Sequence, residues 1–158
     1  MKQRNWKYMT KAYLQQAYHQ EQRIKILMRQ KRDLQSMLYS LGVSGGSGGS
    51  KPVGDPDKFG KLIAKIDAKE RSLVDQIDKL VDKKEEIKSK IEKLPDEQQK
   101  NILICRYICF MEWKDIQDEF GYAEAQPYKI MSEALRSFYE WYAKDIRGFF
   151  QRYKDDSK

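Results

Sequence analysis

One histidine, two cysteines and four prolines in 158 residues leave little material for metal or redox chemistry. Cys105 and Cys109 stand four apart in a stretch that reads as helix, where a disulfide is disfavoured, and His19 is remote in sequence. A four-ligand nitrogen/sulfur zinc site would have to recruit carboxylates. No metal or cofactor is therefore expected, and the two cysteines read as buried reduced thiols. The chain also lacks a Gly-rich phosphate loop and a nucleophile elbow, and its acids alternate with Lys on helix faces in the manner of solvated pairs, so the reading is not an enzyme. No run approaches 18 apolar residues, and the opening MKQRNWKYMT has no apolar signal core. With 35% charged residues, this predicts a soluble, cytoplasmic protein with no membrane partner.

The charge is unevenly spread. Residues 1–42 net +7, residues 43–94 net +2 and residues 95–158 net −2, so the basic excess is almost wholly N-terminal. A pI near 9.2 permits a nucleic-acid partner without requiring one. Apolar residues after Pro56 follow a 4-3 step: Phe59, Ile63, Ile66, Leu73, Ile77, Leu80, Ile87, Ile91 and Leu94, interrupted at Glu70 and Lys84. A second seam runs through Tyr13, Ala17, Ile24, Leu27, Leu34, Leu38 and Leu41, interrupted at Gln20 and Lys31. These are heptad seams on two helices, about 6–41 and 58–94, with Asp57 as N-cap and Pro95 as stop. Between them GVSGGSGGSKPVGDPD reads as a flexible loop; its GGSGGS core has the composition of an inserted linker and equally of a natural low-complexity loop.

Matched seams around such a loop predict an antiparallel helical hairpin, the alternative being that each seam pairs with a second copy of the chain. Folding about the loop midpoint sets Lys31 opposite Glu70 and brings Lys2, Arg4, Lys7 and Lys11 beside Leu94. The predicted fold class is all-α: a hairpin over 1–94 with loop 42–57, a three-helix module over 95–136, and an aromatic-rich C-terminal helix and tail over 137–158. In the module, helices are expected at about 96–110, 113–120 and from 124 onward. A turn at Gly121 joins the last two, with Ile116, Phe120, Ile130, Ala134 and Leu135 facing inward. Helix, tight glycine turn, helix is the layout that offers a second helix to the DNA major groove.

This segment resembles the helix-turn-helix of sigma factor region four, and more closely that of RinA and ArpU type phage late-transcription regulators. The resemblance is carried by Leu94-Pro95-Asp96, Leu103, Arg106-Tyr107-Ile108, Trp113, Ile116, Phe120-Gly121-Tyr122, Tyr128 and Ala134-Leu135. It implies a transcription regulator in the cytoplasm of a bacterial host, with double-stranded DNA as partner and RNA polymerase as a second candidate. Residue by residue, it makes Glu124, Gln126, Tyr128 and Lys129 the base-reading positions. The chain departs from the family pattern at Gln117, at Ala123 where a serine cap is usual, and at Pro127 in the first turns of the recognition helix.

Because the module itself is acidic, phosphate contacts are assigned to Lys2, Arg4, Lys7 and Lys11, helped by Lys114 and Arg136. Phe138, Tyr139, Trp141, Tyr142, Phe149, Phe150 and Tyr153 are too much apolar surface to leave wet, and they read as packing on the module or forming a subunit interface. A homo-oligomer is expected, most simply a two-fold dimer. Two other functions fit the same features: a phage DNA-packaging component resembling a small terminase subunit, and a module that engages RNA polymerase without reading DNA.

Overall fold

The computed structural model describes residues 5–41 and 56–156, and every regular element among them is helical. α1 spans Asn5–Ser40, α2 Pro56–Glu92, α3 Glu97–Leu103, α4 Trp113–Phe120 and α5 Gln126–Asp156. Lys2, Arg4 and most of the Gly/Ser loop lie outside the described residues. No described helix is long and apolar enough to cross a membrane.

Local chemistry explains the boundaries. α2 starts at Pro56, whose fixed φ and missing N–H suit a first helical position. Asp57, expected as the cap, sits inside the first turn and pairs with Lys61 at 3.5 Å. Pro95 disfavours helical geometry at Leu94, and α2 ends at Glu92. The chain restarts with Asp96 as N-cap, its Oδ1 accepting from the Gln99 N–H at 2.8 Å.

The expected single helix over 96–110 is instead α3 followed by a π-helical segment, Ile104–Ile108. Its register widens as the Cys109 N–H donates to the Ile104 carbonyl, five residues back, at 2.9 Å. Phe110 then takes a left-handed conformation with φ 57°. The widened turn rotates Cys109 away from its α-helical direction: Cys105 is half-buried and Cys109 exposed, not two buried thiols.

The chain divides into two compact units, residues 21–82 and residues 1–20 with 83–158. In residues 21–82, the later part of α1 and the earlier part of α2 pack through Ile24, Leu27, Ile66 and Leu73, all buried. Glu70 accepts a hydrogen bond from Gln35 Nε2 at 2.9 Å, and no ion pair joins it to Lys31. The register expected from the loop midpoint is thus displaced by about one helical turn, because the midpoint of a long loop need not be the apex of the pairing.

In the other unit, α1, α2, α3 and α5 share one core. Tyr13, Leu14 and Ala17 meet Ile87, Ile91 and Leu94, with Ile102, Leu103, Leu135, Phe138 and Ile146 filling the remainder. α5 departs from helical geometry at Tyr142 (φ −124°, ψ 24°). The Tyr142 hydroxyl donates to the Lys90 carbonyl at 2.8 Å. The aromatic residues of α5 pack on the start of α1: Trp6 against Tyr139, Tyr8 against Phe150, and Tyr13 against Phe138 and Phe149, with centroids 5.8–6.1 Å apart. The Tyr153 side chain lies outside the described residues.

Lys90 ties this unit together. Its Nζ donates to Tyr13 Oη at 2.7 Å, pairs with Glu86 at 3.2 Å and with Asp145 at 3.6 Å. Burial works against its charge, but the Tyr13 and Glu86 hydrogen bonds and the nearby Asp145 outweigh it, and the ammonium pKa is raised. Burial also works against the Glu86 carboxylate, yet its bond to Lys90 and the charge of Lys83 leave its pKa lowered.

Candidate functional site

α4 and α5 are joined by a turn set by Gly121 and by the side chains of Gln117 and Gln126. Glu112 is the N-cap residue of α4, with extended backbone, and Gly121 closes the helix in the left-handed region at φ 64°, where a glycine avoids the Cβ penalty. The N–H groups of Gly121 and Tyr122 both turn back to the Gln117 carbonyl. Gln117 then spans the turn, its Nε2 donating to the Glu124 carbonyl at 2.8 Å.

Ala123 has no side-chain oxygen with which to cap the next helix. Gln126 compensates from the other side: its Oε1 accepts the Ala123 N–H at 3.3 Å, which is half of a capping box. The Gln126 N–H bonds the Ala123 carbonyl at 3.0 Å, and Pro127 is buried in the first turn, where its missing N–H costs little. α5 thereby starts at Gln126, two residues later than expected. Ile116, Ile130, Ala134 and Leu135 are buried as anticipated. Phe120 is not: it is 39% exposed and stacks on Tyr122 at 5.5 Å with 19° between the rings.

The structure leaves Glu124, in the turn before α5, and Gln126, Tyr128 and Lys129, in its first turn, all exposed. They are not equivalent. Gln126 is engaged with the backbone, and the half-exposed Tyr128 ring lies on Trp113, 4.7 Å between centroids. Of the residues assigned to phosphates, Lys7 reaches α5, its Nζ donating to Ser132 Oγ at 3.1 Å. Arg136 is exposed, and its guanidinium lies over the Trp6 ring at 5.8 Å. Lys11 and Lys114 are exposed. The start of α1 and the start of α5 therefore contribute to one surface through Lys7, Ser132, Trp6 and Arg136.

Sequence reasoning missed the support beneath Tyr128. Arg106, on the π-helical segment, donates from Nη1 to the Met111 carbonyl at 2.8 Å and stacks over Trp113 at 4.9 Å. Arg106, Trp113 and Tyr128 thus form a continuous stack. Its only trace in the sequence is a cation seven residues before an aromatic, and that spacing becomes a contact only because the chain reverses at Phe110. Two titrating groups flank Arg106 within this segment. Burial pushes the Tyr107 hydroxyl up to about 12, and burial, then Cys109 and Glu119, raise the Cys105 thiol, which is unfavourable to a thiolate nucleophile. Among the described residues, no group of three or more His, Cys, Asp or Glu is placed to hold a metal ion.

A family model described as a protein of unknown function, DUF1492, matches residues 43–139, more than half of the chain. The chain belongs to the DUF1492 family. The matched stretch takes in α2, α3, the π-helical segment, α4 and the first half of α5, and so includes every candidate base-reading position. No curated protein and no solved structure matches the chain.

Proposed function

We propose that this DUF1492 protein is a sequence-specific DNA-binding transcription regulator of the phage late-gene type, acting in the cytoplasm of a bacterial host. In this reading α1 and α2 form a long antiparallel hairpin, and α3, α4 and α5 form a helix-turn-helix module that offers the start of α5 to the major groove. The observation that carries it is the Lys7–Ser132 contact, which supports a basic N-terminal segment beside an acidic module that needs phosphate-binding cations from elsewhere. The resemblance to RinA and ArpU type regulators and the glycine-capped α4–α5 turn support the same reading.

Fluorescence anisotropy with promoter and random duplexes at two salt concentrations tests it. Replacing Lys2, Arg4, Lys7 and Lys11 with Ala is expected to weaken binding to every duplex and to flatten the log-log salt dependence by up to about four. Tyr128→Ala or Lys129→Ala is expected to cost about 1 to 3 kcal/mol on the cognate site alone. Gln126→Ala is a poorer probe, because it also removes the bond to Ala123. An unchanged salt slope in the quadruple variant would sink the reading.

A homo-oligomer, most simply a two-fold dimer presenting two recognition helices, belongs to the same proposal. The exposed aliphatic residues Ile26, Met28, Met37, Leu62 and Val81 in residues 21–82 support it. Light scattering at micromolar concentration should then return at least twice 18.8 kDa. A second reading, a module that engages RNA polymerase or another protein without reading DNA, draws support from Asp115, Asp118 and Glu119 on the exposed face of α4. Retained polymerase binding with no salt-sensitive DNA binding would favour it.

A further inference from the structure

A cleft of about 400 Å³ opens beside the π-helical segment. One wall is a single face of α1, where Gln15, Tyr18 and His19 fall at helical spacing; the other carries Arg106, Tyr107, Phe110 and Glu112. Two features of the backbone here are otherwise costly. The π-helical register breaks α3's hydrogen-bond ladder, and Phe110, a bulky residue, is held at φ 57°. Together they aim the Phe110 ring at Tyr18, edge to face at 5.3 Å, so that aromatic surface lines the opening.

The charged groups lining the cleft are one guanidinium, Arg106, and one carboxylate, Glu112. Arg106 uses Nη1 on the Met111 carbonyl, and its contact with Glu112 is a 3.8 Å ion pair on a carboxylate 79% exposed to solvent. A guanidinium has five N–H donors in a planar fork, so donors remain to grip an incoming anion. Lys84 Nζ lies 5.4 Å from the Phe110 centroid, outside the lining, while His19 and Gln15 supply polar groups on the α1 side.

We propose that this cleft is a binding site for a small planar aromatic anion, with the ring held among Tyr18, Tyr107 and Phe110 and the anionic group on Arg106. The bound anion competes with Glu112, the N-cap residue of α4, for Arg106. It therefore acts on the residue that stacks under Trp113 and, through it, on Tyr128. If α5 reads DNA, the site is a place for effector control; binding itself requires no DNA.

Isothermal titration calorimetry of the full chain, without DNA, tests the site with four probes: adenosine monophosphate, naphthoate, adenosine and cyclohexanecarboxylate. Saturable binding of adenosine monophosphate assigns the site to nucleotides, and of naphthoate to aromatic carboxylates; either supports it. Arg106→Gln is expected to weaken that binding about tenfold or more. Tyr18→Ala, at the rim, where the ring is 45% exposed and its loss spares the core, is expected to do the same. The proposal is overturned if neither aromatic anion binds, if adenosine or cyclohexanecarboxylate binds as tightly as its counterpart, or if both variants, still helical by circular dichroism, keep full affinity. A negative result leaves the DNA reading standing, and absence of DNA binding leaves this one standing.

Discussion

α1 and α2 each run through both compact units, and the same heptad grammar has different outcomes in the two. Among the described residues of 21–82 each helix has only the other to bury against, and Ile26, Met28, Met37, Tyr39, Leu62 and Val81 stay exposed. In residues 1–20 and 83–158 the helices gain α3 and α5 as further layers. Leu14, off the seam, becomes fully buried, as does Thr10, whose hydroxyl bonds the Trp6 carbonyl at 2.7 Å. The large hydrophobic residues left exposed there, Tyr8, Tyr18, Phe120, Tyr128 and Trp141, are all aromatic. A seam states that a helix has a partner; how many partners it has is decided by residues outside the seam.

Cavities cut into the two units should separate them most widely. Phe138 is fully buried among α1, α2 and α5, and Phe138→Ala is expected to cost about 3 to 5 kcal/mol. Leu73→Ala, in the two-helix stretch, is expected to cost about 2 kcal/mol, because a cavity at 9% exposure collapses more readily and is closer to water. Equal costs in urea unfolding would erase the distinction.

Alkaline pH sharpens it. The Tyr107 hydroxyl is raised from 10.0 to about 12, and Tyr142 and Lys90 are raised as well, all in the unit that includes α3 and α5. A group whose pKa is higher in the folded state holds its proton more tightly there. Its contribution is complete below the unfolded pKa and disappears as pH rises through the folded one. For Tyr107 the loss is about 2 to 3 kcal/mol between pH 10 and about 12. Trp6, Trp113 and Trp141 all lie in this unit, so tryptophan fluorescence should report the loss, and Tyr107→Phe should reduce it.

A third test addresses the α4–α5 turn. Gly121 has φ 64° with open space where a Cβ would stand, so Gly121→Ala should cost about 1 to 2 kcal/mol from backbone strain alone, without a clash. Gly121→Asn should cost less, since Asn tolerates this region. Thermal melting distinguishes the two. A null effect of alanine would mean that the turn is not held in this geometry.

What was legible in the sequence was periodic. Ile66, Leu73, Ile87, Ile91 and Leu94 are buried at the positions the 4-3 step gives, and Tyr13, Ala17, Ile24 and Leu27 likewise. Turn chemistry was legible where one residue dominates it, as at Gly121, but the cap at Asp96 was not singled out and the one expected at Asp57 lies inside the first turn. The break after Leu103 was not, because ICRYI carries no glycine or proline and its π register answers to packing around it. Phe120 was misread for a related reason: an apolar residue on the last turn of a short helix can find a ring outside the core, here Tyr122. Of the candidate site, Glu124, Gln126, Tyr128 and Lys129 could be placed on a surface from the sequence, but not the Arg106–Trp113 support, nor the use of Gln126 as a substitute for the missing cap at Ala123.

The register of the two-helix stretch turns on weak, solvent-exposed contacts. Both Gln35 and Lys31 belong to the face of α1 that could meet Glu70, one turn apart, and a loop-centred fold favours Lys31. The observed partner is Gln35, through an exposed hydrogen bond at 2.9 Å. Exposed polar pairs of this kind contribute little, so a double-mutant cycle between Gln35→Ala and Glu70→Ala should give a coupling of about 0.5 kcal/mol or less. The sign of the comparison matters more than its size. The corresponding cycle between Lys31→Ala and Glu70→Ala should fall below it, and should not grow at low salt as an ion pair would. If the Lys31 cycle gave the larger, salt-sensitive coupling, α1 would be displaced by a turn against α2 in solution. The exposed residues Ile26, Met28 and Met37 would then face different neighbours.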